Sequence, residues 1–347
     1  MKKLHDLYDF IKKNCIAIIH AKGYRIVNKK PRNSSLSLTS IAKQKPGHEA
    51  VFKAQQGDDF ISKSKYFTVQ VDAKPGINHL REALNWLVKE AVSLNRTPLV
   101  FVPQFDNCHN FDIDVHATWD KYLDLDNFIL SSDQLAAPVA IKAVMADQIA
   151  GLGSLSVLKV ERDYIITEQD NATYDLIIRH NKTGLEIPGI HQGIRGLPDY
   201  TVRLQPSQRV LDIFRQVSAQ IPSYCAIHVR RGDMLRMVAE LPHLDQDTQP
   251  GHIKDVIASV MPLGAPVYIL TNERDKSFFN PIKDSYAVLQ YFDFPELNAL
   301  VSGDQPDNFL LFEIEKLLFD NAQTKIYTFT HPEGGQRISL SSHLGWA

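Results

Sequence analysis

Apolar and polar residues first fall into a regular pattern at Tyr66. YFTVQV, residues 66–71, reads as a strand, and AKPG breaks it. The next stretch, NHLREALNWLVKEAVSL, places Leu80, Ala83, Leu84, Leu87, Val88 and Ala91 at intervals of three and four. That spacing predicts a helix with one buried face. TPLVFVP follows as a continuous apolar run bounded by prolines, which suits a strand covered on both faces. Strand, helix, strand is the unit of a parallel sheet.

The alternation returns in the second half. SQRVLDIFRQVSAQI predicts a helix through Val210, Leu211, Phe214, Val217 and Ile221, and YCAIHV after it a buried strand. APVYILT is another buried strand and DSYAVLQYF a weaker one. NFLLFEIEKLLFDNA is a helix, with Phe309, Leu310, Ile314, Leu317 and Leu318 in the core, and leads to the strand KIYTF. Between the halves, LSVLKVERDYIIT and TYDLIIRHN read as strands and GIHQGIRGLPDY is rich in turn residues, which places a boundary there. The first residues, with Leu4, Leu7, Tyr8 and Ile11 at helical spacing before a basic, serine-rich stretch, read as an extension. The chain is thus expected to be α/β, with a helical and polar extension over 1–62, one doubly wound domain over 63–200 and a second over 201–347.

Composition narrows the function. With 347 residues and 44% apolar content the chain has material for two ordinary domains. Its 38 Lys and Arg against 40 Asp and Glu leave a net charge of -2, so no global field attracts nucleic acid or an anionic membrane. No apolar run reaches the ~18 residues of a membrane span, and the N-terminus has no signal-peptide pattern, so a cytoplasmic protein without a membrane span is expected. Cys15, Cys108 and Cys225 are far apart, show no metal-ligand spacing and are expected to be reduced, buried thiols.

The string His228-Val229-Arg230-Arg231-Gly232-Asp233 stands where the strand YCAIHV stops. Ligands of open α/β sheets bind outside the carboxyl ends of strands, and arginine's planar fork of donors matches phosphate oxygens bidentately. Gly232 lets the backbone turn closely around a pyrophosphate, and Asp233 can orient an arginine or an amide. The same string also suits a strand-end turn with solvated arginines and a Gly-Asp bend.

HVRRGD after a buried strand resembles the donor-site motif of the fucosyltransferase superfamily, which includes the protein O-fucosyltransferases and the α1,2- and α1,6-fucosyltransferases. The segment Pro75-Gly76-Ile77-Asn78-His79-Leu80-Arg81-Glu82, with Leu94-Asn95-Arg96-Thr97-Pro98 a helix later, is similar to the N-terminal signature of the O-fucosyltransferases. Trp119-Asp120-Lys121-Tyr122-Leu123-Asp124 resembles a further step of it. Thr271-Asn272-Glu273 resembles a family strand ending in Thr-Asp-Asp or Thr-Asp-Glu, and Ala322 through Thr330 one whose hydroxyls and amides meet phosphates.

The resemblance implies a GT-B fold, two Rossmann-like domains facing a cleft, and transfer of fucose from GDP-fucose with inversion and without metal to a glycan or protein hydroxyl. It implies donor contacts at Gly76, His228, Arg230, Arg231, Asp233, Gln323, Thr328 and Thr330, and catalytic roles for Arg230, Asn78 and Glu273. Asn78 is also expected to cap the helix it opens, and Gly76 to admit close backbone approach. No cofactor beyond the donor substrate is expected.

Two positions depart from the family. Gln323 stands where some relatives pair an aspartate with guanine, and Pro75 where one branch carries a glutamate as acceptor base. The first keeps open a glycosyltransferase using another nucleotide sugar; the other rival is a non-catalytic nucleotide- or carbohydrate-binding protein on the same fold. The strings Asp112-Ile113-Asp114, Asp124-Leu125-Asp126 and Asp245-Gln246-Asp247 have the form of metal-bridging motifs, but none follows an expected strand, and no zinc, Walker or GxGxxG pattern is present.

Overall fold

A computed structural model describes residues 65–181, 200–330 and 337–338, apart from 72, 73, 75, 134, 136, 163, 222 and 240. All of these belong to the unit Asp58–Ala347. The expected extension over 1–62, Cys15 and Pro75 lie outside the described residues.

The first part runs β1 (Tyr66–Val71), α1 (Ile77–Ser93), β2 (Thr97–Pro98), β3 (Phe128–Ser131), β4 (Val139–Ile141), β5 (Val157–Val160), α2 (Glu168–Thr173), β6 (Leu176–Asn181) and β7 (Thr201–Arg203). β2, β1, β6 and β5 lie in that order in a parallel sheet, while β4, β3 and β7 form a small antiparallel one. α1 buries Leu80, Ala83, Leu84, Leu87, Val88 and Ala91, the expected stripe, and adds Trp86 and Glu90. It ends where Asn95 turns left-handed at φ 54, a conformation asparagine tolerates.

Arg96 then clamps the sheet. Its five N–H donors meet the carbonyls of Tyr66, Asn171, Tyr174 and Asp175 and the Asn171 side-chain oxygen at 2.6–3.1 Å. Burial pushes its pKa down to about 10, against the pull of Asp175. A second buried cation, Arg179, pairs in a fork with Glu90 and donates to the carbonyls of Glu161, Arg162 and Tyr164.

The second part continues with α3 (Gln208–Ser218), β8 (Cys225–Val229), α4 (Leu244–Asp247), α5 (Pro250–Ala258), β9 (Pro266–Thr271), α6 (Asn280–Lys283), β10 (Ala287–Leu289), α7 (Pro295–Val301), α8 (Asn308–Asn321), β11 (Thr324–Tyr327), β12 (Phe329–Thr330) and β13 (Arg337–Ile338). Ser207 caps α3 and Asp307 caps α8, each side chain accepting an N–H three residues on. β10, β9, β8 and β11 make a second parallel sheet. One face, with Cys225, Ile227, Val229, Val267 and Ile269, packs on Ile253, Ile257, Phe279 and Ile282. Each fully buried branched side chain there contributes about 1.5–3 kcal/mol. Burial pushes the Cys225 thiol up to about 12, an inert state. The opposite face carries Tyr268, whose hydroxyl donates to the buried Glu315 of α8 at 2.9 Å.

Strand order locates the ligand-competent edge. From β8 the chain steps outward to β9 and β10, then returns to β11 on the other side of β8, so the order reverses at β8. In the first sheet it steps from β1 to β2 and comes back to β6 on the other side of β1. HVRRGD leaves the end of β8, and Gly76 and Asn78 follow β1, so both strings sit at reversal points. Among the described residues no helix is long and apolar enough to cross a membrane.

Candidate functional site

The register of the second sheet brings HVRRGD beside two other quoted strings. Val229 is level with Thr271 of β9 and His228 with Tyr327 of β11, so Asn272-Glu273 and Thr328 emerge next to Arg230 and Arg231. Strand alternation puts consecutive side chains on opposite faces, and the two arginines divide accordingly.

Arg231 goes to the face of Val229 and is 6% exposed. Its guanidinium donates to the Thr248 hydroxyl at 2.6 Å and to the Asp245 carboxylate at 2.9 Å, pairs with Glu273 at 3.4 Å and lies 4.6 Å over the Phe278 ring. Glu273 is therefore a partner of Arg231, and it also accepts the N–H of Asp275.

Arg230 is half-buried and acts electrostatically on His228. Burial, with the Arg230 charge adding to it, pushes the His228 imidazole down to about 4, so the ring is neutral at pH 7. A guanidinium beside a neutral imidazole at the carboxyl end of a sheet suits an anionic ligand, because the imidazole neither repels nor competes for the cation.

Gly232 closes the turn at φ +48, where a side chain is strained. A Cβ there would lie 2.7 Å from Asn272 Nδ2, and Asn272 Oδ1 accepts the Arg231 N–H at 2.7 Å. The Asp233 side chain lies outside the described residues.

The expected phosphate contacts of the last strand are engaged within the protein. The Thr328 hydroxyl, buried, donates its one proton to the His228 carbonyl at 3.0 Å, and the Thr330 N–H donates to Asp247 at 2.8 Å. Arg337 donates to the Thr328 carbonyl and contacts His252. Gln323 is not brought to the turn at all. It hydrogen-bonds Ser223 and precedes β11 beside Tyr224, at the amino end of the sheet. Arg230 lies six positions after Tyr224, about 20 Å along an extended strand. A base contact from Gln323 to a nucleotide on Arg230 is corrected by this geometry.

In the first part, Gly76 is itself the N-cap of α1, with extended backbone at φ -64, and no side chain caps it. Asn78 is thus the second helical residue and not the cap, because the glycine two positions earlier already ends the extended segment. A Cβ on Gly76 would meet the His109 ring at an ordinary 3.6 Å, so close approach there does not demand glycine. His109 and Asn110 in turn hold the start of α8, their oxygens accepting from Asn308 at 2.8 and 2.7 Å. Phe105 stacks on Phe309 at 4.2 Å.

The loop after β2 contributes Phe105 and His116, which carry no motif in the sequence, to a candidate site. A cavity of about 590 Å³ is lined by Lys74, Val102, Phe105, Asp114 and His116, among others. Beside it Phe111 and Asp112 are left-handed, and the Arg274 guanidinium, just past Glu273, lies 5.9 Å from the Phe111 ring. The apolar run before Pro103 predicts strand here rather than a wall of loop, and Asp112-Ile113-Asp114 has the form of a metal-bridging string rather than of a cavity wall.

The acidic strings are engaged locally. Asp124 accepts from Asp126 and Asn127, Asp126 pairs with Lys142, Asp114 with Lys74, and Asp245 with Arg231. Among the described residues no three His, Cys, Asp or Glu side chains are grouped as metal ligands.

No protein-family model and no curated protein matches the chain. Among solved structures it is similar to POFUT1, a protein O-fucosyltransferase. The structure in complex with GDP-fucose is 11% identical with a TM-score of 0.39, over 76% of this chain and 96% of that one. A complex with GDP is 9% identical with a TM-score of 0.41, over 76% and 99%, and an apo form is 12% identical with a TM-score of 0.40, over 81% and 94%.

Proposed function

We propose that the chain is a GDP-fucose-dependent glycosyltransferase of GT-B type, acting by inversion and without a metal ion. The observation that carries this reading is the placement of Arg230, next to a neutral His228, just past the end of β8 where the strand order reverses. Departure of GDP from the sugar places negative charge on the β-phosphate. A fixed guanidinium there binds the transition state more strongly than the ground state.

The same reading assigns the second sheet to the donor, and the acceptor to the cavity beside Lys74, Val102 and His116. It takes the two sheets as the centres of two domains facing a cleft. Asn78 remains the candidate on the acceptor side, as a contact to substrate and not as a helix cap. Incubating the protein with GDP-fucose in EDTA tests the reading: slow release of fucose with its anomeric configuration inverted is expected. Release only with Mn²⁺, or none with GDP-fucose but release from another nucleotide sugar, contradicts it.

A further inference from the structure

We infer that Asn272 is the positioning residue of the phosphate-binding turn and acts on the ligand through Arg230; this rests on the donor-site reading above. Three observations converge on it. The β8–β9 register makes Val229 level with Thr271, so Asn272 leaves its strand alongside Arg230. Its Oδ1 accepts the Arg231 N–H at 2.7 Å, which orients the peptide plane joining Arg230 to Arg231. Its Nδ2 fills the space under Gly232 that a Cβ would need, and φ +48 at Gly232 sets the direction in which the chain leaves.

On the other side of that peptide the Arg231 side chain is pinned by Thr248, Asp245 and Glu273. The backbone after Arg230 is thus held at two points, once by the Asn272 amide and once by the Arg231 guanidinium. Both anchors are distinct from the group that would meet the phosphate. A shift of about 1 Å in a positioned group can cost ~10²-fold in rate, so an anchor that never touches the ligand can govern its binding. A shorter or apolar side chain at 272 leaves the Arg231 N–H without this acceptor and opens space beneath Gly232.

The test is a double-mutant cycle read by calorimetric titration of the full chain with GDP, with melting temperatures measured alongside. Asn272→Ala is expected to weaken GDP binding about tenfold, and Arg230→Lys by at least as much. In the double variant the Asn272→Ala effect should vanish to within about threefold, because its route to the ligand is already cut. A purely structural role would give effects that multiply. Multiplying effects, or Asn272→Ala binding GDP like the wild type while Arg230→Lys does not, overturn the inference and leave the donor-site reading standing. Arg230→Lys binding GDP like the wild type overturns the donor-site reading itself. Should Asn272→Ala not fold, amide exchange in the wild type decides: the Arg231 N–H should be strongly protected, and rapid exchange there refutes the inference.

Discussion

The side-chain oxygen of Asn272 accepts the backbone N–H of Arg231 at 2.7 Å, tying the turn after one central strand to the end of its neighbour. The same amide lies against Gly232, which is left-handed at φ +48. Strand register, one hydrogen bond and one missing side chain therefore set the course of the chain that carries Arg230.

Arg230 and Arg231 should respond differently to the same change. Arg230→Lys keeps the charge and loses the fork, and turnover is expected to fall by ~10²-fold or more with the melting temperature near that of the wild type. Arg231→Ala removes a buried cation from Thr248, Asp245 and Glu273 and is expected to cost about 2–3 kcal/mol of stability. Steady-state kinetics and thermal melts on both variants check this; an Arg230→Lys enzyme with full turnover would refute the assignment.

Gly232→Ala should destabilise by about 1–3 kcal/mol, since it combines a left-handed backbone with a Cβ 2.7 Å from Asn272 Nδ2. Chemical denaturation measures the loss. Removing the contact as well, in Gly232→Ala with Asn272→Ala, should recover only the steric part.

Much of this region was readable from sequence because it obeys local rules. YCAIHV is β8 with one added residue before it, and the period of two already separates Arg230 from Arg231. The role of Asn272 was not readable, because it depends on a neighbouring strand arriving in one register. TPLVFVP predicted a long strand, yet only Thr97 and Pro98 join the sheet, since Leu99 bridges Val144 and the chain then turns to wall the cavity. LSVLKVERDYIIT is strand only over Val157–Val160, and Thr167 caps α2 through Asp170 directly after it. β7 lies just past the expected boundary at 200 and pairs back to β3, a long-range partner that no periodicity announces. Gln323 was placed by analogy of order along the chain, and the parallel sheet puts it at the opposite end from the turn.

Glu315 gives a prediction in pH. Burial pushes its carboxyl up to about 8 from 4.5, and the hydrogen bond from Tyr268 only partly opposes this. Between those values the folded protein holds a proton that the unfolded chain releases. The contribution is therefore complete below about pH 4.5 and is lost as pH rises toward 8. Glu315→Gln removes the titration, so the variant should gain on the wild type steadily from pH 5 to 8 in urea melts. A constant difference across that range would contradict a protonated Glu315.

The fork between Arg179 and Glu90 is fully buried, so removing one member leaves the other charged and unpaired. Glu90→Ala is expected to cost about 3–5 kcal/mol in chemical denaturation. A loss under 1 kcal/mol would show that the carbonyls of Glu161, Arg162 and Tyr164 suffice for Arg179.

The central claim, that Arg230 marks a GDP-sugar site needing no metal, is tested most directly by calorimetric titration of the wild-type chain with GDP and with UDP, each in EDTA. The account predicts saturable GDP binding that chelation leaves unchanged, and UDP binding at least about tenfold weaker, a difference of about 1.4 kcal/mol. Equal affinities for the two nucleotides, or GDP binding that disappears with EDTA and returns with Mn²⁺, would contradict it.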